Sequence, residues 1–254
     1  MEVPTTDNLT RIVKLSKALE NLTNHQLDYL EKIVKEFEKP YLERYFNPYS
    51  DFVDDCVLNN LGDAIRIHHC FSSGPFSKDK FEYALNAVLN YCGIYSTLSR
   101  NGLPGYDIEF KGQKVSLKTE AEAKISKTKI HISKFMELGK GPWEIPVLLD
   151  QFLRNLNSFD RILTLRCLSK IPNNLYYELI EIPKDLLLEA KDGEIRIMED
   201  SIQDFKPAYC FVKESNGKEK FKLYFDGGGE RKLQIKNLDI NNCIKQAFWR
   251  FSID

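Results

Sequence analysis

The hydrophobic pattern of this 254-residue chain changes period near residue 105, which points to a mixed α/β fold. From residue 8 to about 70, Leu15, Leu19 and Leu22, then Leu27, Leu30, Val34 and Phe37, recur at helical steps of three and four, and Pro40 closes that stretch. Ser77 is a good N-cap for a helix to about Cys92, with Asp79 in its first turn and Phe81, Leu85, Val88 and Leu89 as its buried stripe. Asn101-Gly102 and Pro104-Gly105 mark turns, and alternation begins beyond them.

Asp107-Ile108-Glu109-Phe110 and residues 115 to 120 read as two strands joined by Lys111-Gly112-Gln113-Lys114. With Gly112 and Gln113 at the centre of a type II′ turn, Phe110 pairs with Val115, Asp107 falls opposite Lys118, and Glu109 opposite Ser116. Alternation then turns Ile108, Phe110, Val115 and Leu117 inward. A strand over 129 to 133 follows, then a helix over 143 to 159 with Pro146 in its first turn. Strands over 161 to 168, apolar enough to be central, and over 175 to 182 precede a short helix after Pro183. From Asp192 onward the text is strand and turn, with strands over 209 to 214, 220 to 225 and 231 to 236 separated by turns at 215 to 218 and 226 to 229.

These elements group into a helical region (1 to 76), a core (77 to 191) and a β-rich region (192 to 254) within one compact domain. A hydrophobic content of 43% with 29% charged residues excludes a disordered chain. The six cysteines have no pair closer than fourteen positions, so no short zinc or redox spacing exists. With no apolar leader and no apolar run near the ~20 residues a bilayer requires, the expectation is a soluble cytoplasmic protein with free, packed thiols.

The net charge of −1 hides an asymmetry. Residues 28 to 63 carry nine acids against four bases, whereas 111 to 140 carry eight lysines against three glutamates. A polyanion would be drawn to the second segment and repelled by the first.

Asp107, Glu109, Ser116, Lys118 and Glu120 project from one face of the hairpin. Clustered carboxylate oxygens suit a hard divalent cation, and a neighbouring lysine can position or deprotonate a water and offset phosphorane charge. The bland alternative is a solvated edge whose cross-strand ion pair contributes well under about 1 kcal/mol.

Pro104-Gly105-Tyr106-Asp107, eight intervening residues, then Ser116-Leu117-Lys118 resembles the PD-(D/E)-x-K nuclease pattern, whose members include many type II restriction endonucleases. Helix, hairpin, third strand, helix and strand over 78 to 168 are likewise similar to that family's α-β-β-β-α-β core. The resemblance implies Mg²⁺-dependent, sequence-specific hydrolysis of double-stranded DNA, with Mn²⁺ as a substitute ion. It makes Asp107 a metal ligand, Lys118 the catalytic lysine and Glu82 a candidate accessory acid. Ser116 stands where the pattern has Asp or Glu, so the second carboxylate comes from elsewhere: Glu120 is preferred, with Glu122, Glu137 and Glu109 as fallbacks. A homodimer without nucleotide cofactor or membrane attachment is implied; on DNA, Lys124, Lys127 and Lys129 of the basic segment are candidate contacts, and Arg231, Lys232, Gln234 and Lys236 a candidate groove-reading element, since such side chains can read base edges. A repair or junction-resolving nuclease on the same core, or a non-catalytic DNA-binding protein, are the alternatives.

Two further features take structural readings. His68 and His69 adjoin on a helix and point different ways, which favours packing or capping over metal binding. The 226 to 232 loop lacks phosphate-loop spacing and precedes a strand, so it reads as a turn.

Overall fold

A computed structural model describes residues 6–99, 105–122 and 124–253. The expected turn at Asn101-Gly102, and Pro104 of the motif, lie outside the described residues. The chain divides into two compact units after Pro40. The first unit holds α1 (Thr6–Leu19) and α2 (Asn24–Glu38). Thr23 starts α2 with a reciprocal cap: its hydroxyl accepts from the Gln26 amide, and the Gln26 side chain accepts from the Thr23 amide.

The unit Tyr41–Asp254 is built around two sheets. In chain order it contains β1 (Glu43–Phe46), α3 (Asp55–Phe71), α4 (Lys78–Tyr91), β2 (Ser96–Leu98), β3 (Ile108–Phe110), β4 (Gln113–Glu120), β5 (Lys129–Glu137) and α5 (Ile145–Leu156). There follow β6 (Arg161–Ile171), β7 (Asn174–Ile182), α6 (Lys184–Leu188), β8 (Glu194–Ile197), β9 (Ala208–Lys213), β10 (Glu219–Asp226), β11 (Lys232–Asp239) and β12 (Ile244–Phe251). Seven strands form one sheet in the order β1-β12-β7-β6-β4-β3-β2, and five form the other in the order β5-β11-β10-β9-β8. Only β4 and β6 pair in parallel among the described strands, as a crossover through β5 and α5 permits.

β6 is central, as its apolar run demands, and it buries residues on both faces. Leu163 and Leu165 join Val57, Leu61 and Ile65 of α3 and Phe81, Leu85 and Leu89 of α4 in one core. On the opposite face Ile162, with Ile180 and Ile182 of β7, meets Phe152 and Leu156 of α5 and the inner face of the five-stranded sheet. Each such side chain contributes roughly 1.5–3 kcal/mol when fully buried.

The hairpin differs from the sequence expectation in register. Lys111 and Gly112 both have positive φ, 51° and 70°, so they are the turn's central pair and the turn is of the I′ kind. Phe110 therefore pairs with Gln113 and Ile108 with Val115. A left-handed lysine is unfavourable, but type I′ matches the strand twist, and the Lys111 ammonium donates to the Asp51 carbonyl. Moving the turn by one residue shifts the paired positions by two, so the side-chain faces are preserved: Ile108, Phe110, Val115 and Leu117 are buried as expected. Glu109 now lies level with Lys114, and continuing the register brings Asp107 level with Ser116 instead of Lys118.

Two other expectations are corrected. β5 extends to Glu137 and edges the five-stranded sheet against β11; the third strand beside the hairpin is instead β2, too short for the pattern to reveal. Cys56 of α3 and Cys92 at the end of α4 form a disulfide, while Cys70, Cys167, Cys210 and Cys243 are free thiols. Helix–helix contact brings together two cysteines 36 residues apart, which spacing could not show. Among the described residues no helix is long and apolar enough to cross a membrane.

Candidate active site

Asp107 is held at the entry to β3 by its own strand partner. Its amide donates to the Val115 carbonyl, and its Oδ2 accepts from the Leu117 amide at 2.6 Å and the Ser116 hydroxyl at 3.4 Å. Ser116 and Lys118 share a face of β4, and the Lys118 ammonium donates to Ser116 Oγ at 2.9 Å. The other wall is the start of α4, where Ser77 caps the helix by accepting from the Lys80 amide. One turn apart, Lys78 and Glu82 meet there: the Lys78 ammonium lies 2.7 Å from Glu82 Oε1 and 2.7 Å from Asp107 Oδ1.

Electrostatics follow from this crowding. Burial, with Lys78 adding to it, lowers the Lys118 pKa to about 8, although Asp107 and Glu82 pull the other way. Burial also raises the Glu82 carboxyl against the opposing effect of Lys78. For Lys78 burial works downward, but its two carboxylate partners outweigh it and the pKa ends above the ordinary value. The neutral fraction of Lys118 therefore grows as pH rises through about 8. If this amine takes a proton in the reaction, single-turnover cleavage will climb across that interval; a rate that is flat there excludes that role.

Lys78, Asp107, Ser116 and Lys118 line a cavity of about 480 Å³ together with Phe135 and Glu137 of β5 and Gln151 and Asn155 of α5, while Glu82 joins it only through Lys78. The Lys118 ammonium stands 5.3 Å from the Phe135 ring centre. Lys78, Gln151 and Asn155 were not anticipated from sequence. Their signals are a lysine four positions before Glu82 and two amides four positions apart within an apolar helical run.

Glu120, the preferred second carboxylate, is placed elsewhere. Its Oε2 is 2.5 Å from the Arg166 guanidinium, and its Oε1 accepts from the His131 amide at 2.9 Å. Arg166 also reaches the buried Glu178 at 3.2 Å and the carbonyls of Ser126 and Lys129 nearer the surface. Two residues along a strand span about 7 Å, enough to carry a side chain on the same face out of the cavity and into this network. Glu109 does not line the cavity, Glu122 faces His131 at 3.5 Å, and Glu137 lines the cavity while paired with Lys134 at 2.8 Å.

The residues assigned to DNA divide as well. The Arg231 guanidinium is packed 4.6 Å from the Phe205 ring centre and donates to the Gly141 carbonyl, and Gln234 donates to Asp226. Lys232 pairs with Glu230 at 3.0 Å. Lys236 caps the Tyr224 ring at 4.2 Å, level with Lys222 across the five-stranded sheet, while Lys129 opens β5, and Lys124 and Lys127 lie in the segment before it. His69 bonds the Tyr177 hydroxyl at 2.7 Å and His68 the Gly74 carbonyl at 2.9 Å, in keeping with packing roles.

No three His, Cys, Asp or Glu side chains converge as metal ligands among the described residues. Two carboxylates already sharing one cation, beside a serine hydroxyl, nevertheless fit Mg²⁺, which keeps several waters and binds through one or two carboxylates plus phosphate. The model of the SmaI family, described as type II site-specific deoxyribonucleases, matches residues 15–251. The chain belongs to this family. It is 43% identical over 231 residues to the type II restriction enzyme SmaI of Serratia marcescens, an overlap covering 91% of this chain and 93% of that one. No solved structure matches the chain. As a member of the SmaI family it is an endonuclease of a restriction system, and the cavity at Asp107 and Lys118 is its candidate hydrolytic site.

Proposed function

We propose that this enzyme cuts double-stranded DNA at a fixed sequence through a PD-(D/E)-x-K site in which Asp107 and Glu82 hold Mg²⁺ and Lys118 serves the attacking water. The observation that carries this reading is the continuous contact from Lys118 through Ser116 to Asp107, joined through Lys78 to Glu82. Element order adds support: α4, β2, β3, β4, α5 and β6 come in this order, with β5 of the other sheet between β4 and α5, and β4 is parallel to β6. In this reading Glu82, from the helix, supplies the carboxylate that Ser116 lacks.

Bound there, the ion would polarise the scissile phosphate and favour ionisation of the attacking water. The chain's own groups do the rest. Asp107 is fixed by the Leu117 amide, so its carboxylate is oriented in advance. Ser116 orients Lys118, whose lowered pKa lets the amine accept a proton from water and, once protonated, offset charge on the phosphorane. Lys124, Lys127, Lys129 and Lys236 would face the DNA backbone. A two-fold dimer on a palindromic site completes the reading.

The test is digestion of unmethylated plasmid by purified protein with Mg²⁺, with Mn²⁺ or with chelator, alongside Glu82→Gln. Discrete bands with either ion, none in chelator, and at least about a hundredfold loss in Glu82→Gln are expected. Cutting in chelator removes the metal from the reading; undiminished cutting by Glu82→Gln removes Glu82. Sedimentation of the protein with one duplex should show two chains, and a single chain at saturation refutes the dimer.

A further inference from the structure

Lys78 is the first helical residue of α4, and its ammonium bridges Asp107 and Glu82 at 2.7 Å each. Its side chain is 40% exposed, whereas the two carboxylates are 19% and 20% exposed, so the lysine reaches them from the solvent side. Two carboxylates this close repel one another, and a single positive charge between them removes that penalty. The same two carboxylates are the residues that would hold a divalent ion.

We propose that Lys78 is a built-in placeholder for the divalent ion: it occupies the Asp107–Glu82 bridge in the DNA-free enzyme and must withdraw before the ion enters. This rests on Asp107 and Glu82 being the ion's ligands. The charges make the two occupants exclusive. Two carboxylates facing Lys78, Lys118 and a divalent ion together would carry an excess of about two positive charges, which an incoming phosphate can offset. A DNA phosphate gives the displaced ammonium a new partner, and the flexible lysine stem at a helix start lets it swing there. Ion and DNA are then thermodynamically coupled: each raises the affinity for the other by the same factor. The enzyme free of DNA would hold its ion weakly, and the site would fill once a phosphate has drawn Lys78 away.

The test is direct Mn²⁺ binding to the DNA-free protein, followed by electron paramagnetic resonance of the free ion. Wild type, Lys78→Met, Lys78→Gln, Asp107→Asn and the Lys78→Met/Asp107→Asn pair are compared, with circular dichroism to check folding. The Lys78 side chain is partly exposed, so both of its single variants are expected to fold. They are expected to bind Mn²⁺ about tenfold more tightly than wild type, a typical coupling between exclusive ligands. The gain should vanish in the double variant. Binding that is unchanged or weaker in both Lys78 variants, while Asp107→Asn still weakens it, overturns the placeholder and leaves the ligand assignment standing. A gain that survives in the double variant overturns both.

Discussion

Asp107→Asn and Lys118→Ala are each expected to lower the single-turnover cleavage rate by about a thousandfold or more. Neither should unfold the protein or abolish DNA binding. Asp107 accepts from the Leu117 amide, Ser116 and Lys78 at once, so the amide variant keeps the shape while removing the charge that any cation there requires. Lys118 lies on the same strand face one contact away, with its pKa drawn to about 8 by burial. Removing its amine leaves Ser116 in place and takes away both a proton acceptor and a positive charge. The measurement is a rapid-quench time course on plasmid DNA beside a gel-shift titration. A loss smaller than about tenfold in either variant would take that residue out of the chemistry.

Glu120→Ala should instead be a stability variant, with a loss of about 3–5 kcal/mol. The Glu120 carboxylate and the Arg166 guanidinium are both buried, and Arg166 draws on Glu178 and two backbone carbonyls as well. Truncating one partner leaves a guanidinium in the interior with part of its neutralisation gone, and that residual charge accounts for most of the cost. Against a typical total of about 5–15 kcal/mol, the urea midpoint should fall sharply. Glu82→Gln, which removes a partly exposed carboxylate paired with Lys78, should leave the midpoint nearly unchanged while cleavage is lost. A Glu120→Ala protein as stable as wild type but unable to cut would return Glu120 to the site.

Patterning made much of the local structure legible. The Ser77 cap, the α4 stripe and the alternation on β3 and β4 each depend on residues within a few positions of one another, and each is present in the fold. The apolar run of β6 likewise announced a strand buried on both faces. The hairpin register was misplaced because Gly112 suits either a II′ or an I′ turn, and Lys111 in the left-handed region is not apparent from its side chain. The exchange of β2 for β5 in the first sheet was hidden because strand partners are chosen by the whole packing arrangement.

Sequence alone determined which residues share a face: Asp107, Ser116, Lys118 and Glu120 point one way, and Ile108, Phe110, Val115 and Leu117 the other, since strand geometry alternates with period two. It could not determine which of those polar groups meet. Tertiary structure decided that, by bringing the start of α4 beside Asp107 so that Lys78 joins it to Glu82, and by placing Arg166 of β6 beside Glu120. The physical reason is range. Periodicity is dictated by covalent geometry over a few residues, whereas the partner of a charge is whichever opposite charge the packed core delivers within about 4 Å.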